Sequence, residues 1–376
     1  MVVVLDARMA GPEQRGIGRY IDELIAQMPR SDDITVRVIV RPGQTVVGMP
    51  TIPVAARWYT LKEQWAVLRA MVEQRADIVH IPHINVPIGL SLLRIMGKGP
   101  TLVVTVHDLL LVGNPREQAT TLPAMLWYLK YWSYRLVLWL ALRGADVLIA
   151  VSQRTAQEIQ TLLPRPLHKK IVVIPEGIAA AGGSSCTNDS CDLQKGRPYV
   201  LTVGSCYPHK RLDWVLSAMI PLWREEKELD WIHVGPSERL SEEFFLNMRS
   251  EEQQLFSKRP SAIHPVGVLP NDELHHRYAH AVALVYPSST EGYGLPPVEA
   301  LACGGRVVSC AVPSLEGVIV PPDQLHVVYS KEEFIQAVGT CWQHRHLPCA
   351  ALTATPSSRE SGQRTVNLYR SLYSSL

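Results

Sequence analysis

Ala283-Leu284-Val285-Tyr286-Pro287-Ser288-Ser289-Thr290-Glu291-Gly292-Tyr293-Gly294-Leu295-Pro296-Pro297-Val298-Glu299-Ala300-Leu301-Ala302, closed by Cys303-Gly304-Gly305-Arg306-Val307-Val308, is the stretch on which the reading of this chain turns. The apolar run Ala283 to Tyr286 is short and bounded by proline, the pattern of a parallel strand buried on both faces. Glu291-Gly292-Tyr293-Gly294 follows as a loop whose glycines allow a ligand close to the backbone. Pro296-Pro297 suits the first turn of a helix that runs on through Val298 to Ala302. Gly304-Gly305 stops that helix, and Arg306 to Ser309 begins another strand. Loop amides and a helix N-terminus together favour an anionic ligand. Glu291 at the loop entrance and Glu299 inside the helix are carboxylates of the kind that accept two hydrogen bonds from a diol.

The pattern extends outward on both sides. Tyr199 to Val203 is another strand run, followed by Gly204-Ser205-Cys206-Tyr207-Pro208-His209-Lys210-Arg211 and a helical pattern from Leu212 to Met219. Strand, glycine turn, cations and helix start in that order suit a pyrophosphate, and Lys210 is the candidate phosphate ligand. Asp230 to Val234 and Ala262 to Val268 read as further strands, and Asn271 opens a helix that leads to Ala281. Gln363 to Tyr373 sets Val366, Tyr369, Leu372 and Tyr373 on one helical face; residues 345–362 read as a loose connection.

The first half repeats the alternation of strand and helix, which argues for a second parallel sheet covered on both faces. Val2 to Asp6 is a strand, Gly11 to Arg19 a glycine-rich loop, and Tyr20 to Met28 a helix. Gly16-Ile17-Gly18 begins like a dinucleotide fingerprint. Ile21 occupies the third glycine position, and the strand ending at Val40 closes on Arg41 rather than an acid, which argues against NAD. Asp77 to Pro82 and Thr101 to Val106 are strands, the latter ending in His107-Asp108. His107 stands at a strand's carboxyl end, where ligands gather in open α/β sheets, and suits donation to a hydroxyl or to developing charge. Asp108 suits support of that loop. Leu122 to Leu142 is apolar but carries Lys130 and Arg135, so a half-buried helix fits better than a membrane span. Ala145 to Ser152 and Ile171 to Ile174 are strands, the last followed by Pro175-Glu176-Gly177. Residues 179–198, poor in large apolar side chains, form a linker.

Length and composition agree with two domains: 376 residues, 47% hydrophobic, 19% charged. A net charge of +2 gives no global drive toward nucleic acid. Seven cysteines, with Cys186 and Cys191 in the linker and no second ligand pair, fit reduced thiols rather than a metal site. The N-terminus has no basic region before its apolar run, so it reads as a strand and not as a signal peptide.

The string E-G-Y-G-L-P-x-x-E-A-L-A-x-G-x-x-V-V from Glu291 to Val308 resembles the donor-sugar loop of the retaining, GT-B-fold glycosyltransferases of family 4, the glycosyl transferases group 1. Asp77-Ile78-Val79-His80, Thr105-Val106-His107-Asp108, Ala145 to Ser152 and Gly267 to Ala281 resemble further stations of that family, in its order. The resemblance implies a GT-B α/β fold: two Rossmann-like domains with parallel sheets facing a central cleft. The N-terminal acceptor domain is 1–178, the linker 179–198, the nucleotide-sugar domain 199–350, and the tail with its crossing helix 351–376. It implies transfer of a hexose such as mannose, glucose or rhamnose from a nucleotide-diphosphate sugar to a glycan or lipid-linked acceptor, with retention at the anomeric carbon. No metal and no separate cofactor are expected.

By the same resemblance Glu299 binds the nucleotide ribose, Glu291 and His107 contact the donor sugar, and Lys210 and Arg211 with the amides near Gly294-Leu295 neutralise the diphosphate. Gly18, Gly204, Ser205, Gly292 and Tyr293 belong to the donor site. Val268, Leu269 and Leu274 line the base pocket, and Gly16 and Asp108 lie toward the acceptor. The departures are Glu176 for the usual Asn, Ser205 for an Arg, Leu269 for Val, and Arg277 for Leu. Arg57-Trp58-Tyr59 with Lys62 and Trp65, and Trp127 with Lys130, Tyr131, Trp132 and Arg135, could meet anionic lipid. The expected location is the cytoplasm, with peripheral contact at the inner face of the membrane, and the family resemblance implies a place in polysaccharide or lipopolysaccharide assembly. The alternatives are a catalytically weakened sugar-binding or partner subunit and a nucleotide-sugar epimerase-like enzyme.

Overall fold

A computed structural model describes residues 1–11, 15–28, 33–55, 60–113, 124–178, 197–257, 260–352 and 357–375. Linker residues 179–196, which include Cys186 and Cys191, and Arg57-Trp58-Tyr59 lie outside the described residues.

The chain forms two compact units. In the first, the elements are β1 Val2–Asp6, α1 Arg15–Ala26, β2 Thr35–Val40, β3 Thr51–Pro53, α2 Leu61–Glu73, β4 Ile78–Ile81, α3 Ile88–Ile95, β5 Thr101–Val106, α4 Leu110–Gly113, α5 Ala124–Gly144, β6 Val147–Ala150, α6 Gln153–Leu162 and β7 Ile171–Val173. Its seven strands run parallel in the order β3-β2-β1-β4-β5-β6-β7. The second unit holds β8 Tyr199–Val203, α7 Asp213–Arg224, β9 Asp230–Val234, α8 Arg239–Leu255, β10 Ile263–Gly267, α9 Asn271–His280, β11 Ala283–Tyr286, α10 Leu295–Ala302, β12 Val307–Cys310, β13 Leu325–Val328 and α11 Lys331–Gln343. Its six parallel strands run β10-β9-β8-β11-β12-β13. Each sheet is doubly wound, with a switch point between β1 and β4 in one and between β8 and β11 in the other.

Each strand divides its side chains between two cores, as a period of two requires when both faces are covered. In the first unit Val4, Leu102 and Val104 join the core with α2, α3 and α5, whereas Val3, Leu5 and Val103 join the core with α1. In the second, Val200, Trp231 and Val285 pack with α7 and α11, and Leu201, Leu284 and Tyr286 with α9 and α10. That is why these runs are apolar without alternation.

Three boundaries differ from the sequence reading. The first helix begins at Arg15, so Gly16 and Gly18 lie inside α1 and not in a preceding loop. Ile17 extends the apolar stripe of Ile21, Leu24 and Ile25 into the same core, which offsets the roughly 1 kcal/mol that each helical glycine costs. Strand β10 stops at Gly267, whose φ is +79°, and Val268 lies beyond the ladder, 64% exposed. The last helix, α12 Ser358–Ser374, starts five residues before the expected Gln363, because Ser357 caps it by accepting from the Glu360 N–H. This helix belongs to the first unit: Val366 and Tyr369 are buried against α1, and Gly362 lets its backbone approach Gln27.

Candidate active site

The carboxyl ends of β8 and β11 meet at the second unit's switch point. Gly204 leaves β8 at φ +131°, and Lys210 lies across it, with Nζ 3.8 Å from where a Cβ would stand. Gly235 has to be glycine for the ends of β8 and β9 to close, since a Cβ there would lie 2.0 Å from the Gly204 carbonyl oxygen. The turn Pro208–Lys210 is stitched to the loop after β11: the Ser289 N–H donates to the His209 carbonyl at 2.8 Å.

These two loops bring Lys210 and Glu291 into contact. The Lys210 ammonium donates to Glu291 Oε1 at 2.5 Å and to the Tyr286 hydroxyl at 2.9 Å. Tyr286 OH and Ser288 Oγ donate to the same Oε1 at 2.8 and 2.5 Å. Lys210 and Glu291 are 13% and 12% exposed. Burial alone would raise the Glu291 pKa; the Lys210 charge and these three hydrogen bonds outweigh it and hold the carboxyl below its ordinary value. Burial and then the Glu291 charge keep the Tyr286 phenol protonated. Tyr286 and Ser288 are absent from the sequence candidates. The signal for Tyr286 was its place as the last residue of the strand.

Gly294, at φ +87°, caps α10, and its carbonyl accepts from Ser314 Oγ at 2.5 Å. Tyr293 and Glu299 are buried, Gly292 and Leu295 half-buried. Glu299 Oε2 accepts from Tyr278 OH at 3.0 Å, and its charge also acts on Tyr286, so both glutamates belong to one electrostatic neighbourhood. The base-pocket candidates separate: Leu274 packs into the core with Tyr278, Leu269 lies at its margin, and Val268 faces solvent. Arg211 also parts from Lys210. With φ +48° it turns its guanidinium over the Trp214 ring, 4.9 Å from the centroid, and toward the Cys310 thiol. Ser205 is half-buried beside Gly204.

In the first unit His107 follows β5, and Asp108 Oδ1 accepts from the Leu110 N–H at 3.2 Å, supporting the turn into α4. His107 Nδ1 lies 2.6 Å from Glu176 Oε1 and Nε2 lies 3.0 Å from the Pro82 carbonyl, so both ring nitrogens are engaged. The Glu176 that departs from the family pattern is therefore a partner of the expected sugar-contacting histidine. Gly18 is buried in α1 and Gly16 exposed, with open space around its Cα.

A charged cluster that the sequence reading does not single out fills the switch point between β1 and β4. The Arg8 guanidinium grips both oxygens of Asp6 at 2.9 and 2.8 Å and donates to Glu63 Oε1 at 2.8 Å. His83 Nε2 lies 3.4 Å from Asp6, and Asn85 donates to Glu63 at 3.2 Å. Asp6 at the very end of β1 was the available signal. Among the described residues, no group of three His, Cys, Asp or Glu could hold a metal ion, and no helix is long and apolar enough to cross a membrane.

Comparison with known proteins gives these sites a context. Residues 14–181 match the family model Glycosyltransferase Family 4, and residues 197–344 match Glycosyl transferases group 1. O-antigen chain mannosyltransferase B of Escherichia coli is 32% identical over 123 residues, 32% of this chain and 30% of that protein. O-antigen chain mannosyltransferase RfbU of Salmonella typhimurium is 23% identical over 264 residues, 70% of this chain and 64% of that protein. The chain thus matches less than two thirds of the length of either relative. The crystal structure of HepE from Anabaena in complex with UDP and glucose superposes with a TM-score of 0.71 at 18% identity, covering 99% of this chain and 100% of that one. With two doubly wound parallel sheets, one model matched in each half and a fold shared along the whole chain, this protein belongs to the GT-B-fold glycosyltransferases of family 4, the glycosyl transferases group 1.

Proposed function

We propose that this chain is a hexosyltransferase that moves a sugar from a nucleotide-diphosphate donor to a glycan or lipid-linked acceptor. One observation carries the reading: Lys210, Tyr286 and Ser288 converge on a single oxygen of Glu291 at the β8/β11 switch point. Oε2 of Glu291 takes none of these bonds, which leaves it to accept from a sugar hydroxyl. Lys210, half released from Glu291, supplies positive charge where a diphosphate departs, with α10 adding its N-terminal amides. Glu299, in the second turn of α10, suits a ribose diol. On this reading the diphosphate leaves without a metal, and the anomeric configuration is retained.

Both relatives are named mannosyltransferases, so mannose is the first sugar to test. Donor hydrolysis and melting-temperature shifts across GDP- and UDP-linked mannose, glucose and rhamnose should single out one donor. Turnover should persist in EDTA, and proton NMR of the product should show the donor's anomeric configuration. Binding to none of these donors would overturn the assignment. Binding of one without turnover on any acceptor would favour the sugar-binding subunit instead.

The reading includes contact with a membrane surface through α5. Met125, Tyr128, Leu129, Trp132, Leu136 and Trp139 form an exposed stripe at helical spacing, and Leu138, Ala141 and Leu142 bury the opposite side. Arg135 lies over Tyr131 and Trp132, and Arg143 over Trp139. Apolar rings edged by cations suit anionic lipid. Flotation with vesicles containing phosphatidylglycerol should recover the protein, and Trp132→Glu/Trp139→Glu should abolish that. Equal recovery of the variant would remove α5 from the contact.

A further inference from the structure

We propose that Glu176 is a positioning residue that keeps His107 doubly protonated, so that the carboxyl end of β5 carries a fixed positive charge. The argument starts from proton inventory. A backbone carbonyl has no proton to give, so the 3.0 Å contact to the Pro82 oxygen requires a hydrogen on His107 Nε2. At Nδ1 the partner is a carboxyl oxygen at 2.6 Å, the length of a charge-assisted bond. One proton lies between Nδ1 and Glu176, and an imidazole is the stronger base by about 2 pH units, which places it on the ring. His107 is then a cation with both N–H groups donating.

The surroundings agree. Tyr20 packs against the His107 ring edge to face, with centroids 4.8 Å apart, and fixes its plane. The titratable groups facing it are Glu176 from the end of β7, Asp108 from the loop after β5, His80 from β4 and Tyr20 from α1. Two of these are acids. His80 is pushed down to about 3 by burial and its histidine neighbours, so it adds no competing charge. Burial alone would lower His107, yet the Glu176 bond and charge, with smaller help from Pro82 and Asp108, leave it raised. Gly177 and Ser357 hold Glu176 in place: the backbones approach so closely that any Cβ at 177 would clash with Ser357 and Ser358.

An amide at position 176, the residue expected from the family pattern, cannot supply a counter-charge. Where the family pattern sets a neutral amide, this chain sets a carboxylate. His107 is excluded as a base while the pair persists, and it can act only by presenting charge or by passing its Nε2–H from Pro82 to a ligand oxygen. The inference concerns the protonation of His107 and stands apart from the transferase reading.

The test is nitrogen-resolved NMR of the histidine rings in the full chain, with His107→Gln identifying the signal. In the natural protein both ring nitrogens should show imidazolium shifts at pH 7, and the titration midpoint should lie above the ordinary 6.5 of histidine. Glu176→Gln should lower that midpoint by about 1 unit or more, and Glu176→Asp should restore part of it. Where a preferred donor is turned over, the basic limb of the kcat profile should move down with the NMR midpoint. A neutral ring at pH 7 in the natural protein, or an unchanged midpoint in Glu176→Gln, would overturn the proposal. If Glu176→Gln does not fold by circular dichroism, the shifts of the natural protein and of Glu176→Asp decide alone. Absent turnover with a charged His107 would sink the transferase reading and leave this inference standing.

Discussion

Lys210→Ala is expected to lower donor turnover by about 10²–10³-fold, the range seen when one preorganised charge on a leaving group or oxyanion is removed. Nζ is held between Tyr286 and Glu291 and lies over Gly204, and the adjacent cation, Arg211, is turned onto Trp214 and so does not replace it. The same change strands the Glu291 carboxylate, which could mimic a catalytic loss by unfolding the site. Glu291 limits that damage by taking up a proton, because its lowered pKa depends on Lys210. The sign follows: a depressed carboxyl stabilises the fold above its unfolded pKa and loses that stabilisation as pH falls through the folded value. The deficit in melting temperature of Lys210→Ala should therefore shrink in acid, while the deficit in turnover should not recover. Lys210→Ala/Glu291→Gln should melt closer to the natural protein and stay inactive. Turnover within a few-fold of natural in Lys210→Ala would remove this residue from the leaving-group role.

Arg8→Met should cost about 3–5 kcal/mol of stability, the range for a buried ion pair deprived of one partner. Arg8, Asp6 and Glu63 are 2%, 0% and 1% exposed, so neither carboxylate can recover its charge partner from water. Burial pushes Asp6 up; the His83 hydrogen bond and Arg8 overcome it and hold the carboxyl far below the usual range. Asp6 thus stabilises the natural protein above the unfolded pKa of about 3.9. With Arg8 gone, burial dominates and Asp6 must bind a proton to stay inside, so the deficit should be largest at neutral pH, narrow as the variant takes up that proton, and narrow further below about pH 4 as the natural protein loses the Asp6 contribution. Urea denaturation of both proteins at pH 7 and in acid measures this. A loss under about 1 kcal/mol at pH 7 would show that water or His83 replaces the guanidinium, contrary to the burial seen here.

The two predictions fall on opposite sides of what a linear reading reaches. Glu291 to Glu299 was legible because its information is local. Apolar run, glycines, double proline and helix lie within one strand-loop-helix unit, and backbone sterics and hydrogen-bond geometry act between near neighbours. From that unit and its repeats along the chain followed the parallel α/β sheets, with His107 directly after a strand and Lys210 in the loop beyond one; the GT-B class and the family came from the resemblance of the Glu291–Val308 string. What those side chains touch was not legible. Lys210 meets Tyr286 and Glu291 from 76 and 81 residues away, His107 meets Glu176 from 69, and Arg8 meets Glu63 from 55. Tyr369 reaches His80 across 289 residues. Such pairs depend on strand order, since β11 lies beside β8 and β4 beside β1 only once the intervening strands have been placed elsewhere. Arg211, adjacent to Lys210 in sequence, turns to Trp214 three residues on through its own left-handed backbone, a local departure that the residue type does not announce. The sequence by itself thus determined the elements and the parallel α/β class, because propensity and periodicity are properties of short segments. Only the tertiary structure decided the partners, and with them the charge states of Glu291, His107 and Asp6, because burial and Coulomb energy depend on distance in space rather than along the chain.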